Sequence, residues 1–225
     1  MKNVMKNIII TGSTGMVGSL ALKICLNRED VNKVTVITRR KSGMTHPKLI
    51  EVVHNDFLNY SDIIEYFKNQ DVCIYCLGVY TGQMPNNEFT KITVDFTKVF
   101  AEALKANNEK ITFCFLSGQG TDQTEKSRVL FARDKGKAEN ILLNLEFDKT
   151  YIFRPGYIYP MVPRNEPNFF YRIIRILYKP ILSKLYPNIG VTSERLAKVM
   201  IEVGIEDANK TILENIDILK YKLEE

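Results

Sequence analysis

The stretch IIITGSTGMVGSLALKICL, Ile8 to Leu26, decides the fold class. Three β-branched residues make a short buried strand. Gly12, Gly15 and Gly18 then follow at intervals of three, and the chain continues with apolar residues at helical spacing. Strand, glycine turn and helix in immediate succession are the context in which a glycine triplet carries meaning. Glycine reaches backbone angles closed to other residues and lets main-chain N–H groups approach an anion at the helix amino end. The run Gly12, Ser13, Thr14, Gly15, Met16 and Val17 is therefore the expected cradle of a dinucleotide's diphosphate.

Nucleotide choice is read at the end of the next strand. An NAD-selective site places an acidic residue there, about twenty positions on, to hold the ribose hydroxyls. Here KVTVITRRK ends in Thr38, Arg39 and Arg40. Guanidinium groups bind a 2′-phosphate through paired, charge-assisted hydrogen bonds, whereas a carboxylate repels it, so NADP(H) is preferred over NAD(H). The competing reading of Arg39 and Arg40 is a solvated basic turn. Two further cofactor positions follow: Asp56 with Phe57 in HNDFLN, near the adenine edge, and Cys76, Leu77 and Gly78, where backbone approaches the adenine ribose.

Outward from this turn, apolar β-branched runs alternate with helical patterns, the signature of a parallel sheet. Strands are expected at Asn7 to Thr11, Lys33 to Thr38, Leu49 to Val53, Asp71 to Leu77, Lys110 to Leu116 and Thr150 to Phe153. Helices are expected at Met16 to Asn27, Ser61 to Lys68, Glu88 to Ala106, Arg128 to Leu145 and Ser193 to Gly204, the last capped by Thr192 or Ser193. The fold class is α/β: a doubly wound parallel sheet of the Rossmann type with a small C-terminal helical cap. One domain spans residues 1–225, with cap elements mainly in 157–190, and the tail TILENIDILKYKLEE closes with a short helix.

Composition excludes several classes. Hydrophobic residues at 45% suffice for a full core, and the net charge of +5 is spread along the chain, which argues against nucleic-acid binding. The apolar run before the glycine turn is too short for a secretory segment, and no stretch is long enough to cross a bilayer, so a cytoplasmic location is expected. The basic, apolar segment Phe169 to Tyr186 reads as a cap or a homodimer interface rather than a membrane-surface helix, since Pro180 interrupts it. Cys73 and Cys76 have CxxC spacing, but in a strand residues three apart face opposite sides, so both read as core thiols. With His46 and His54 the only histidines, neither a histidine-rich metal site nor a Ser-His-Asp triad is supported.

TGxxGxxG at Thr11 to Gly18, LSG at Leu116 to Gly118, a lysine-bearing helix, and FRPG at Phe153 to Gly156 occur in this order. Together they resemble the short-chain dehydrogenase/reductase superfamily in its extended or atypical branch. Thr38-Arg39-Arg40, CLG, KGKAE at Lys135 to Glu139, FRPG and the late ILEN are similar to the Tat-interacting oxidoreductase family. The resemblance implies a Rossmann-type fold, NADPH binding and, in many members, hydride transfer to a carbonyl. It also implies a serine that orients the carbonyl, a tyrosine that donates a proton, and a lysine four residues later that binds the nicotinamide ribose. Ser117 and Lys135 match the serine and lysine as catalytic candidates, with Lys135, Pro155, Gly156 and Tyr157 also against the cofactor. Phe131 stands where the tyrosine belongs, and a phenyl ring has no proton to give. Tyr80, Tyr157 or a water held by Ser117 and Lys135 are the alternative donors. Two functions stay open: an oxidoreductase on a small carbonyl substrate with an altered donor, and a non-catalytic NADPH-sensing module for a protein partner.

Overall fold

Seven strands lie parallel in one sheet in the order β3-β2-β1-β4-β5-β6-β9 in the computed structural model, which describes residues 5–161 and 188–223. The strands are β1 (Lys6–Thr11), β2 (Val31–Thr38), β3 (Leu49–Val53), β4 (Val72–Tyr75), β5 (Thr112–Leu116), β6 (Lys149–Arg154) and β9 (Ile212–Glu214). A second, two-stranded parallel pair joins β7 (Tyr157–Tyr159) to β8 (Gly190–Thr192). The chain runs outward from β1 to β3 and then returns to β4 on β1's other side. The strand order therefore reverses between β1 and β4, the place where a doubly wound sheet opens a crevice at its carboxyl edge.

Alternation along β1 divides the core in two. Ile8 and Ile10 face α1 (Gly18–Asn27) and α5 (Ser193–Glu206). Ile9 faces the opposite layer, where Phe100 and Leu104 of α3 (Phe96–Ala106) and Ala138 and Leu142 of α4 (Leu130–Asn144) pack. All three isoleucines are fully buried, each worth about 1.5–3 kcal/mol relative to exposure. The same alternation separates the CxxC pair: Cys73 belongs to the α3 side, and Cys76 packs against the α1 side.

Several boundaries differ from the sequence expectation, each for a local reason. The first helix begins at Gly18 rather than Met16, because the glycine turn continues through Val17. Residues Ser61–Phe67 form a 3-10 helix, and the third expected helix begins at Asn86, with α2 (Asn86–Thr90) passing through a π segment at Lys91–Asp95 into α3. β4 stops at Tyr75 rather than Leu77, since the chain beyond it turns into the crevice. Thr192, not Ser193, caps α5, its hydroxyl accepting from Arg195 N at 3.2 Å.

The tail supplies more than a helix. Ile212–Glu214 pairs in parallel with Ile152, Phe153 and Arg154 of β6, and α6 (Asn215–Lys220) follows at once behind a capping box of Glu214 and Asp217. Most of the expected cap, including Phe169 to Tyr186, lies outside the described residues. Among the described residues no helix is long and apolar enough to cross a membrane.

Close approach between the glycine turn and α1 fixes the crevice wall. A Cβ on Gly18 would stand 2.2 Å from Gly12 O, so no other side chain fits without moving helix from turn. Gly18→Ala is expected to lower the unfolding free energy by about 1–3 kcal/mol, the usual cost of forced overpacking, and urea denaturation measures it.

Candidate active site

A cavity of about 900 Å³ opens where the strand order reverses. Its walls are the glycine turn before α1, the segments after β4 and β5, two residues of α4, and the chain from the end of β6 into β7. Of the residues singled out by sequence, Gly15, Met16, Val17, Cys76, Leu77 and Gly78 line the cavity. Ser117, Lys135, Pro155, Gly156 and Tyr157 line it too, with Phe131 and Tyr80. Gly12, Ser13 and Thr14 form the turn behind Gly15, while Arg39, Arg40, Asp56 and Phe57 are not on this wall.

The glycine turn has the geometry an anion needs. Gly12 holds φ 70°, and a Cβ there would lie 2.4 Å from Cys76 O, so glycine is required both for conformation and for contact. Gly15 N donates to Gly12 O at 2.8 Å, and Ser19 N donates to Gly15 O at 3.0 Å, which closes the turn onto the helix. No side chain caps α1 and no acidic residue stands in its first turn, so the positive helix end is uncompensated. Ser13 Oγ is buried with no hydrogen-bond partner among the described residues. These features fit a dinucleotide's diphosphate.

Beyond β2, Thr38 Oγ1 donates to Arg40 O at 2.9 Å and shapes the basic turn. Arg39 and Arg40 are exposed, and no salt bridge among the described residues engages either. Asp56 spends its carboxylate on Leu58 N at 3.0 Å. The Phe57 ring is buried against Phe96 with centroids 5.5 Å apart, so its side chain packs in the core. An apolar ring beside a polar turn followed burial, which adjacency in sequence did not reveal.

The other end of the cavity is organised by one face of α4. Phe131, Lys135 and Glu139 recur every four residues and form a stripe. Lys135 is buried, its Nζ donating to Leu116 O at 2.8 Å and standing 4.6 Å from the Phe115 ring centre. Burial pulls its pKa from 10.5 down to about 8, with Glu139 and then Cys76 opposing the shift. The reading of Lys135 as a solvated surface residue is thereby excluded. Asp134 leaves on another face, accepting from Thr90 Oγ1 at 2.5 Å and Arg133 Nε at 3.1 Å. Phe131 lies over Gly118, where an added Cβ would come within 2.6 Å of its ring tip.

Sequence reasoning missed the group beneath Ser117. Ser117 Oγ donates to Glu139 Oε1 at 2.5 Å, and Glu139 is fully buried. The same carboxylate accepts from Gln123 Nε2 at 2.9 Å and from Arg154 Nε and Nη2 at 3.0 and 2.5 Å. Arg154 Nη1 continues to Glu214 Oε1 at 3.0 Å, and the neighbouring Asn215 Oδ1 accepts from Gly156 N at 2.9 Å. KGKAE, FRPG and ILEN, three separate motifs in the sequence, meet here. The available signal was their co-occurrence, together with the four-residue step from Lys135 to Glu139.

Fold and crevice define a Rossmann-type α/β protein with the turn of a nucleotide-binding site. The chain belongs to the NAD(P)H-binding family, whose model matches residues 12–172. It is 31% identical to protein HTATIP2 of Rattus norvegicus over 154 residues, 67% of this chain and 62% of that protein. It is 33% identical to mitochondrial protein FMP52 of Meyerozyma guilliermondii over 149 residues, 66% of this chain and 63% of that protein. The matched region thus spans less than two thirds of either relative. Among solved structures, the Bordetella bronchiseptica enzyme WbmH in complex with NAD+ superposes with a TM-score of 0.70 at 16% identity, covering 93% of this chain and 75% of that one. The PhqB reductase domain of Penicillium fellutanum gives 0.69 at 16% identity, covering 93% and 66%. At these identities the structural likeness speaks for the fold alone.

The depressed Lys135 pKa predicts a pH signature. Between about 8 and 10.5 the unfolded chain holds the lysine's proton and the folded chain does not, so this group's contribution to stability rises with pH across that window. Lys135→Met removes the contribution. The difference between wild-type and variant unfolding free energies is expected to climb in favour of the wild type from pH 8 to 10, read from urea midpoints.

Proposed function

We propose that this protein is an NADP(H)-dependent oxidoreductase working on a small carbonyl/alcohol couple as a single domain, with Ser117 and Lys135 facing the reacting group. The observation that carries the reading is the placement of buried Lys135 beside Ser117 on the cavity that the glycine turn also enters. Gly12 to Val17 would hold the diphosphate, Arg39 and Arg40 the 2′-phosphate, and Cys76 to Gly78 with Asp56 the adenosine half. Lys135, Pro155, Gly156 and Tyr157 would meet the nicotinamide half. The bound cofactor supplies hydride exchange with a carbon of the substrate.

Phe131 gives the second reading its support. Without a hydroxyl at that position, nucleotide binding serves equally well to set the cap for a protein partner, and occupancy rather than turnover becomes the output. A small molecule is the expected ligand of the cavity in the first reading; a homodimer is retained as a proposal for the cap segment. A cytoplasmic location is the working assignment, with the mitochondrial designation of the FMP52 relatives as its competitor.

NADPH is expected to bind more tightly than NADH in calorimetric titrations. Replacing both guanidinium groups, Arg39→Asp with Arg40→Asp, should weaken NADPH by about ten- to a hundredfold while leaving NADH nearly unchanged, the range expected for lost hydrogen bonds to a charged group. Equal affinities in the unmodified protein would defeat the NADP(H) assignment.

Turnover is tested separately by mixing the NADPH complex with a carbonyl panel and following nicotinamide absorbance. Phe131→Tyr is expected to raise slow consumption by up to about a hundredfold, the lower range for a general acid. Tight NADPH binding with no consumption in either protein would decide for sensing.

A further inference from the structure

We infer that the cavity holds the alcohol member of its couple in preference to the carbonyl member, because Ser117 meets the ligand as a hydrogen-bond acceptor whose proton Glu139 has fixed elsewhere. The inference rests on the oxidoreductase reading and names the ligand form that reading leaves open.

The argument is an accounting of protons. Ser117 has one hydroxyl proton. Its neighbours are Glu139 Oε1 at 2.5 Å and Thr121 Oγ1 at 3.1 Å. Among the described residues every other polar contact on the Glu139 carboxylate is an N–H donor: Gln123 Nε2, Arg154 Nε and Arg154 Nη2. A carboxylate that faces three N–H donors, two of them from one guanidinium, acts there as an acceptor. The Ser117 proton is therefore committed to Glu139. Thr121 also has one proton, for which Gly118 O at 2.7 Å competes with Ser117. Whichever takes it, Ser117 gains no second proton to give.

What Ser117 offers the cavity is a lone pair. A carbonyl oxygen placed there faces like against like, whereas an alcohol O–H donates to it and completes the chain from ligand to Ser117 to Glu139. Phe131 adds no donor on the same face. Lys135 has one proton already on Leu116 O and is assigned to the nucleotide; Tyr80, Thr81, Gln119 and Tyr157 carry further donors on the cavity, and the preference concerns the ligand oxygen seated at Ser117. Glu139 touches neither ligand nor cofactor in this arrangement and acts through Ser117, as a positioning residue.

The test compares matched pairs, cyclohexanol with cyclohexanone and 1-phenylethanol with acetophenone, by NMR titration. The protein is used nucleotide-free and saturated with a tetrahydro form of NADP that transfers no hydride. Each alcohol is expected to bind about tenfold more tightly than its ketone, the scale of one mismatched buried hydrogen bond. Ketones bound as tightly as the alcohols, or more tightly, overturn the inference. Ser117→Ala is expected to bring the ratio close to one, and a ratio kept in that variant overturns it too. Glu139→Gln with Arg154→Met, checked for a folded near-ultraviolet spectrum, should move the ratio toward the ketone, a change that a purely structural role would not produce; an unchanged ratio in the folded variant counts against the positioning role. If this pair fails to fold, the wild-type and Ser117→Ala ratios decide. Failure of the nucleotide to bind would sink the cofactor reading, while the ratio on nucleotide-free protein still decides this one.

Discussion

A carboxylate shut inside a protein must be met by donors on all sides, and Glu139 is such a group. Its two oxygens accept from Ser117, Gln123 and the Arg154 guanidinium. Removing one partner of a buried ion pair typically costs about 3–5 kcal/mol, because the other charge is left uncompensated. That penalty binds distant parts of the chain to one another. α4 supplies the carboxylate, β6 supplies the arginine, and the junction of β9 and α6 supplies Glu214 and Asn215. The residue after β5 supplies Ser117, so this wall of the cavity is fastened to an arrangement in which the charge is satisfied.

Much of the fold was legible because hydrophobic alternation is a local signal. The isoleucines of β1 and the valines of β2 announce strands without knowledge of their neighbours, and the glycine triplet announces the turn. β9 was not legible. Three residues, Ile212–Glu214, are too few for a period to show, and they become a strand only because β6 offers an unpaired edge. The helix that starts at Gly18 was misjudged by two residues, since Met16 and Val17 have helical character in sequence but are held in the turn by Gly15 and Gly12.

At the site, the legible residues were those whose backbone role fixes their identity, and those aligned by resemblance. Lys135 stood between two readings because Arg133, Asp134, Lys137 and Glu139 surround it in sequence, a charged run that looks solvated. Burial resolves it, and burial depends on Leu116 and Phe115 from a strand far away in sequence. Glu139 was hidden for the same reason. Nothing within α4 distinguishes its one buried glutamate from an exposed one; the distinction is made by Arg154, fifteen residues on, and by Ser117, twenty-two residues back.

The two ends of the crevice answer to different constraints. At the nucleotide end the backbone decides, through positive φ at Gly12 and the contact distances that exclude any Cβ at Gly12 and Gly18. At the reactive end side chains decide, through a network whose members satisfy one another whether or not position 131 carries a hydroxyl. Phe131 rests on Gly118 and is not among the hydrogen-bonding partners of Glu139, so the residue at 131 can change without loosening either Ser117 or Lys135. The chemistry of the reactive end is thus free to change while its geometry is kept.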